Sequence, residues 1–302
     1  MEISKRTKSG LILLLYLSPF LLMVITFNYV PIFGWIYAFI NYKPGVPIGK
    51  STFVGLKYFV RIFTGVGDFW PVLRNTLAIS LINIGFSVVP VIFAIMASQV
   101  KIQRYSRIVQ TFSSIPHFIS WVLVYSVVFY LVASQESGVN KLLMKLHIVS
   151  EPVSILTNVK IAWVVQACIV LWKTMGYSAI IYLAAMSGID QELYQAADVD
   201  GASNFQKILH VTVPGIMPTY CVLLLLAVSN MLSNGFEQFW LFGNGLTWDA
   251  LEVIDTYVYR MGIQNVEYSF AIALGIFKTV VSIVLLSVAN AASKIIRSES
   301  IF

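Results

Sequence analysis

Four stretches of this chain, 9–42, 75–100, 108–135 and 208–236, contain no Asp, Glu, Lys or Arg. About 20 apolar residues suffice for a helix to cross bilayer hydrocarbon, so each run has room for one spanning helix. Two further apolar stretches, 161–187 and 269–292, are interrupted only by Lys173 and Lys278. Six spans are therefore expected, near 11–40, 75–99, 110–133, 161–186, 214–233 and 268–292. Long continuous apolar runs exclude a β-barrel, whose strands alternate apolar and polar residues. The expected class is an all-α integral membrane protein.

Composition agrees with this. Of 302 residues, 58% are hydrophobic and 11% charged, against about 25% charged in a soluble domain. No stretch has the charge density of a separate water-exposed domain, so residues 1–302 read as one membrane domain. The net charge of +6 is scattered through short loops, which sets membrane orientation and forms no stripe for nucleic acid. Cys168 and Cys221 lie far apart in apolar surroundings and suggest neither a disulfide framework nor a metal site.

The first run follows Lys5, Arg6 and Lys8 and continues well beyond the length of a signal-peptide core. It is read as a retained anchor and first span, disturbed near Pro31. The basic start and the loop KIQRYSR (101–107) place both termini on the cytoplasmic side. Three outer segments follow from that, 41–74, 134–160 and 234–267. Within the first, GLKYFVRIF (55–63) suits either an interfacial helix, aromatics inward and charges outward, or a loop packed on the bundle.

The inner segment SGIDQELYQAADVDGASNFQKILHVTVPGIMPTY (187–220) is polar and has strong helix punctuation. Asp190 is placed to cap a helix running to Ala197, and Gly201 permits a turn into a second helix starting near Ser203 or Asn204. That helix would offer Phe205 and Ile208 on one side, and Pro214 and Pro218 mark the return to the membrane. A rigid, capped hairpin with an exposed aromatic suits transmission of force from a partner. The plainer reading is an ordinary polar loop.

Gln195, Ala196, Ala197, Gly201, Val211, Val213 and Pro214 resemble the EAA signature of permease subunits in binding-protein-dependent ABC importers. In that signature Glu-Ala-Ala is followed after three residues by Gly and after nine more by Ile-x-Leu-Pro, and the spacing here fits throughout. Two positions are Val replacements, and Gln195 stands where the family usually has Glu, so an ionic contact of that Glu would here be a neutral hydrogen bond or absent. NYKPGVPIGKSTFVGLKYFVRIF, LRNTLAIS and the block from Phe236 to Lys278 containing DTYVYR are similar to the carbohydrate-uptake branch, the complex-saccharide permeases. The likeness runs from Ser9 to Phe302.

This resemblance implies a six-helix permease bundle with a cytoplasmic coupling helix in loop 188–213. It implies a second homologous permease subunit, two cytoplasmic ATPase subunits, an extracytoplasmic solute-binding protein and an oligosaccharide substrate. Carried onto this chain, Ala202, Ser203, Phe205 and Ile208 belong to the helix seated in the ATPase, and Gly201 sets its angle. The location implied is the bacterial cytoplasmic membrane. No cofactor is expected on this chain; ATP and Mg belong to the partner subunits.

Enzyme chemistry finds little support in the residues. GVPIGKS (45–51) has three residues between its glycines where a phosphate loop has four, contains Pro and follows no strand. His117, His147 and His210 are too scattered for a metal site. Asp198 and Asp200 do not share a helix face. Polar groups inside spans are costly, so Asn83, Gln166, Lys173, Asn230 and Asn234, with Trp163, Trp172 and Tyr177 as faces for sugar rings, are candidates to line a pathway. Interhelical hydrogen bonding and snorkelling are the plainer readings. Glu237, Asp249, Glu252, Asp255 and Arg260 are candidates for docking a binding protein, and Asp255 and Arg260 could equally hold their loop together. The reading is an oligosaccharide importer's permease. A peptide or osmolyte importer and a non-transporting assembly protein are the alternatives.

Overall fold

The computed structural model describes residues 5–65, 69–100, 102–133, 137–147, 152 and 155–297. Lys101 of KIQRYSR and parts of the segment 134–160 lie outside the described residues. Among those described, the chain is helical throughout, with one isolated β-bridge between Ile40 and Phe53. Among the described residues five helical stretches are long and apolar enough to cross a membrane: Ile12–Phe39, Phe69–Ser98, Val159–Ser187, Asn204–Ser229 and Tyr268–Ala291. A sixth candidate is a pair, Arg104–Phe118 and Trp121–Val132, bent by 105°. The chain is thus an all-α, multi-pass membrane protein. It divides into two compact units, 1–66 with 258–277 and 67–257 with 278–302.

In the first unit, α1 (Lys5–Val24) passes through a π turn (Ile25–Tyr29) into a 3-10 segment (Val30–Phe39). Pro19 lies inside α1 and cannot donate to Leu15, and the neighbouring Ser18 hydroxyl takes that carbonyl at 2.8 Å. The change of helix type flanks Pro31, whose ring disfavours a regular α turn. A short amphipathic helix, α2 (Lys57–Thr64), buries Ile62 and half-buries Tyr58 and Phe59, and Phe59 packs with Ala38, Ala273 and Ile276. Lys57 is exposed and the Arg61 side chain is partly so. It pairs with Glu267 at 2.8 Å and lies over the Phe270 ring, so the helix is fastened within its unit.

The second unit is built around one helix. Helix α3 (Phe69–Phe86) and α4 (Val88–Ser98) form one stretch broken at Ser87, because Pro90 has no N–H for the Phe86 carbonyl. Helix α5 (Gln103–Phe118) ends at an extended Ile119, and α6 (Trp121–Val128) restarts under a Ser120 cap and runs into a π turn, Phe129–Ala133. One straight helix across 110–133 is therefore replaced by two. A short α7 (Gly138–Lys145) precedes α8 (Ala162–Ser187), which packs on α3, α4 and α5. Gly176 of α8 is where α5 comes nearest: a Cβ there would stand 2.1 Å from the Ser113 carbonyl oxygen.

Then come α9 (Gln191–Val199), α10 (Asn204–Lys207), a π turn (Ile208–Thr212) and α11 (Val213–Ser229), which also packs on α8. The last elements are the short α12 (Phe236–Phe242) and α13 (Trp248–Leu251), then α14 (Ile254–Tyr259) and the long α15 (Tyr268–Arg297). Ile79, Val124, Ile169, Phe239, Phe242 and Leu251 share one apolar core of this unit.

Candidate functional site

The loop between α8 and α11 is a hairpin fixed by local chemistry. The Asp190 carboxylate accepts the Glu192 N–H at 2.9 Å and starts α9. At the far end Gly201 takes a φ of +73°. Ala202 donates to the Ala197 carbonyl at 2.9 Å and Gly201 to Asp198 at 3.1 Å, the two bonds of a Schellman ending. Ser203 and Gln206 form a reciprocal capping box that starts α10. The Lys207 ammonium pairs with Asp198 at 2.5 Å, and the Tyr194 hydroxyl meets Thr212 at 2.9 Å, so α9 is clasped to the second arm at two points.

The second arm does not end before Pro214. Helical structure continues from Asn204 to Ser229, with the π turn Ile208–Thr212 ahead of the proline. A wide turn there removes the need for a Pro214 N–H, so the hairpin and the apolar helix are one rod. Gly215 holds the rod against the α8–α9 link, where an added Cβ would meet Ile189 at 2.5 Å. The outward apolar residues are Phe205, 72% exposed, Val199, 88% exposed, and Leu193 and Leu209. Ile208 is half-buried and does not accompany Phe205. Gln195 and Ala196 are exposed on α9, while Ala197, Ala202, Val211 and Val213 are half-buried and Pro214 is exposed.

Within the spans, Asn83 lines a cavity of about 220 Å³ between α3, α4, α8 and α11. Its other polar groups are Ser87, Thr174, Ser178, Tyr182 and Tyr220, with the Ser87 and Tyr220 hydroxyls 3.2 Å apart. Of this lining only Asn83 stands among the candidates that the sequence offers, and the hydroxyl stripe does not. Thr174, Ser178 and Tyr182 are spaced four apart, which puts them on one face of a helix, and that spacing was the available signal.

Most other pathway candidates are engaged inside the fold. Lys173, 7% exposed, donates to the carbonyls of Pro116, His117 and Ile119 at 3.1, 2.9 and 2.5 Å. The Pro116 carbonyl also accepts the Ile119 N–H at 3.3 Å, and the ammonium adds a donor to all three carbonyls where α5 ends, so it caps a broken span. Gln166, 1% exposed, accepts from the Gln238 side chain at 2.8 Å. Trp163 donates to the Ala250 carbonyl at 2.7 Å beneath the Arg74 guanidinium. Asn234 bonds Ser80 and Thr76, and Asn230 turns back to the Leu226 carbonyl at the end of α11. Tyr177 stacks on His117 with ring centres 4.0 Å apart, and Trp172 borders an apolar groove.

The docking candidates also separate. Glu237 and Asp249 are exposed, whereas Glu252 is buried at 6%. Asp255 accepts the backbone N–H groups of Asn234 and Gly235 and pairs with Lys278, so it ties the chain ahead of α12 to α14 and α15. Asn75 reinforces the region by donating to the carbonyls of Asp249 and Glu252. Arg260 opens a π turn, Arg260–Gln264, in the first unit. Among the described residues no three His, Cys, Asp or Glu side chains gather as a metal site.

A multi-pass chain that presents a capped hairpin rigidly continuous with one span, and a hydroxyl-lined cavity beside it, has the build of a membrane transport subunit. Comparison with known proteins makes the class specific. The chain belongs to the family of binding-protein-dependent transport system inner membrane components, whose family model matches residues 88–298. It is accordingly a multi-pass inner-membrane protein. It is 38% identical over 293 residues to protein LplB of Bacillus subtilis, covering 96% of this chain and 91% of that one. It is 36% identical to the polygalacturonan/rhamnogalacturonan transport system permease protein YteP of the same organism, covering 96% and 90%. A crystal structure of a bacterial alginate ABC transporter, in complex with a periplasmic protein carrying an alginate pentasaccharide, contains a chain that matches with a TM-score of 0.87 at 32% identity over all of both chains. A second crystal structure, of a bacterial ABC transporter that imports the acidic polysaccharide alginate, matches with a TM-score of 0.86 at 33% identity, covering 97% and 98%.

Proposed function

We propose that this chain is the permease subunit of an ATP-driven importer that carries an oligosaccharide, an acidic one in the first instance, by alternating access. The observation that carries the reading is the full-length likeness, at 32% identity, to a chain of an alginate importer. The complex would contain a second homologous permease, two cytoplasmic ATPase subunits that bind ATP and Mg, and an extracytoplasmic solute-binding protein. Both termini and the loop 188–213 would face the cytoplasm, and the bent pair α5–α6 would supply the third of six crossings.

In this reading Phe205, with Val199 and Leu209, seats the hairpin on an ATPase, and Gly201 sets the angle between its arms. Because α10 continues into α11, a push on Phe205 moves that span without passing through a soft joint. Gln195 contributes a neutral contact. Asn83 and the hydroxyls of Thr174, Ser178 and Tyr220 supply hydrogen bonds to sugar hydroxyls. Their cavity is smaller than the roughly 300–1,000 Å³ of a complete ligand pocket, so this chain would form one wall and the second permease the other. Glu237 and Asp249 remain as docking groups for the binding protein.

The test is ATP hydrolysis by the complex reconstituted in vesicles, with binding protein loaded with acidic or with neutral oligosaccharides. Stimulation by the acidic series supports the proposal as stated. Stimulation by neutral sugars alone overturns the acidic assignment, and no response to any oligosaccharide overturns the substrate class.

A further inference from the structure

Between the hairpin and the ends of α4, α5 and α8 lies a cavity of about 590 Å³, lined wholly by residues of the second unit. Ser98 and Gln99 at the end of α4, Gln110 of α5 and Ser187 of α8 line it from the bundle, and Gln191, Tyr194 and Thr212 line it from the hairpin. It is not the cavity of Asn83. Ile180 and Ala184, which line it from α8, follow Ser178 and Tyr182 by two residues, about 200° around a helix, so the two cavities lie against opposite faces of α8. We propose that this second cavity binds a neutral saccharide of one or two rings, which bridges α4 and α5 to the hairpin and restrains it.

Charge, hydrogen bonding and size choose that ligand. No lining side chain carries a charge at neutral pH, so a carboxylate or phosphate would lose its hydration here with no cation in exchange. Seven of the eleven lining residues carry a hydroxyl or a side-chain amide, groups that both donate and accept, as sugar hydroxyls do. The amides of Gln99 and Gln191, one on each side of the cavity, make no side-chain hydrogen bond among the described residues. Gln110 gives one amide hydrogen to Ser106 at 2.9 Å and keeps its carbonyl for a ligand. Thr212, 3% exposed, is held by the Tyr194 hydroxyl and gives the hairpin wall a fixed polar floor. The volume lies within the roughly 300–1,000 Å³ of a complete ligand pocket, which the cavity of Asn83 does not reach.

The restraint rests on the reading of the hairpin as the element that an ATPase drives, whereas binding does not. A ligand held by Gln99 and Gln110 on one side and Gln191 on the other must be stretched or released when the hairpin moves, so its binding energy opposes the motion.

The test uses the assembled complex in nanodiscs, where both faces of the membrane are open to added sugar. Ala184→Cys, with Cys168→Ser and Cys221→Ser and partner subunits free of cysteine, places a single thiol in the cavity. The probes are glucose and cellobiose, with glucuronate as the charged counterpart of glucose. Either neutral sugar should slow maleimide labelling of that thiol at least fivefold at saturation, and glucuronate should not. Gln99→Leu and Gln191→Leu should each raise the protecting concentration about fivefold, the loss of one neutral hydrogen bond. In the wild-type complex, the protecting sugar should lower ATP hydrolysis severalfold.

Labelling is read on this chain alone, so a failure of the coupling reading, seen as ATPase association unchanged by Phe205→Ala, would leave the protection in place. Absence of protection by both neutral sugars overturns the site. Equal protection by glucuronate overturns the ligand class, and protection with undiminished hydrolysis overturns the restraint. Efficient cross-linking of the introduced thiol to another subunit would assign the cavity to protein and overturn the proposal as a whole.

Discussion

The ammonium of Lys173 lies 2.5 Å from the carbonyl oxygen of Ile119 and joins α8 to the break between α5 and α6. The same nitrogen reaches Pro116 and His117, and the Trp121 ring lies 5.3 Å away. A cation inside an apolar bundle is normally costly, and here three peptide dipoles at the end of α5 offset that cost.

Replacing Lys173 with Met keeps the length of the stem and removes these bonds. Bonds to a charged group contribute about 1.5–3 kcal/mol, and the freed carbonyls would lie buried. Thermal unfolding of the purified protein in detergent should shift down by several degrees. An unchanged midpoint would mean that the break in the span is held by packing alone.

Gly176 and Ser113 give a sharper steric test. An alanine methyl at 176 would overlap the Ser113 backbone, so α5 and α8 must separate, with an overpacking cost of about 1–3 kcal/mol. Gly85 of α3 has nothing within 4 Å of its added Cβ, and Gly85→Ala should be neutral or slightly stabilising. Melting temperatures of the two variants, measured side by side, check the pair.

Gly201 differs from both, since no atom crowds its Cβ and only the positive φ matters. Alanine there costs about 1–2 kcal/mol of left-handed strain, while Asn tolerates that conformation. In the proposed coupling role, Gly201→Ala should leave assembly intact and lower transport per ATP hydrolysed, and Gly201→Asn should recover much of it. Equal transport in all three chains would show that the hairpin angle is immaterial.

Phe205 contributes little to the fold because its ring is outside it. Phe205→Ala should change stability by less than about 0.5 kcal/mol. If the ring is an anchor for an ATPase, association should weaken by about 2 kcal/mol or more, roughly thirtyfold. Co-purification and titration of the ATPase against wild type and variant distinguish an anchor from an idle surface residue.

The Asp255–Lys278 pair binds elements far apart in the chain, and both side chains are mostly buried. Removing one partner of such a pair costs about 3–5 kcal/mol, so Asp255→Asn should destabilise more than Phe205→Ala by a wide margin. Adding Lys278→Met to Asp255→Asn should recover part of the loss. A double-mutant cycle on thermal stability measures the coupling, and additive losses would refute it.

The membrane class, the extent of the apolar runs and the caps of the hairpin were legible in the sequence because each depends on residues within a few positions of one another. Asp190, Gly201 and Ser203 act on backbone groups two to four residues away, and a proline imposes its break one turn back. Which polar side chains face a cavity was decided by tertiary structure. Lys173 finds its carbonyls 54 to 57 residues away, Gln238 finds Gln166 across 72, and Asn234 finds Ser80 across 154. Their partners depend on the rotation of each helix about its axis, and that rotation is set by packing such as Gly176 on Ser113. An apolar run long enough to span lipid carries no strong amphipathic signal of which face turns inward, so the interior of this protein was settled only when the helices met.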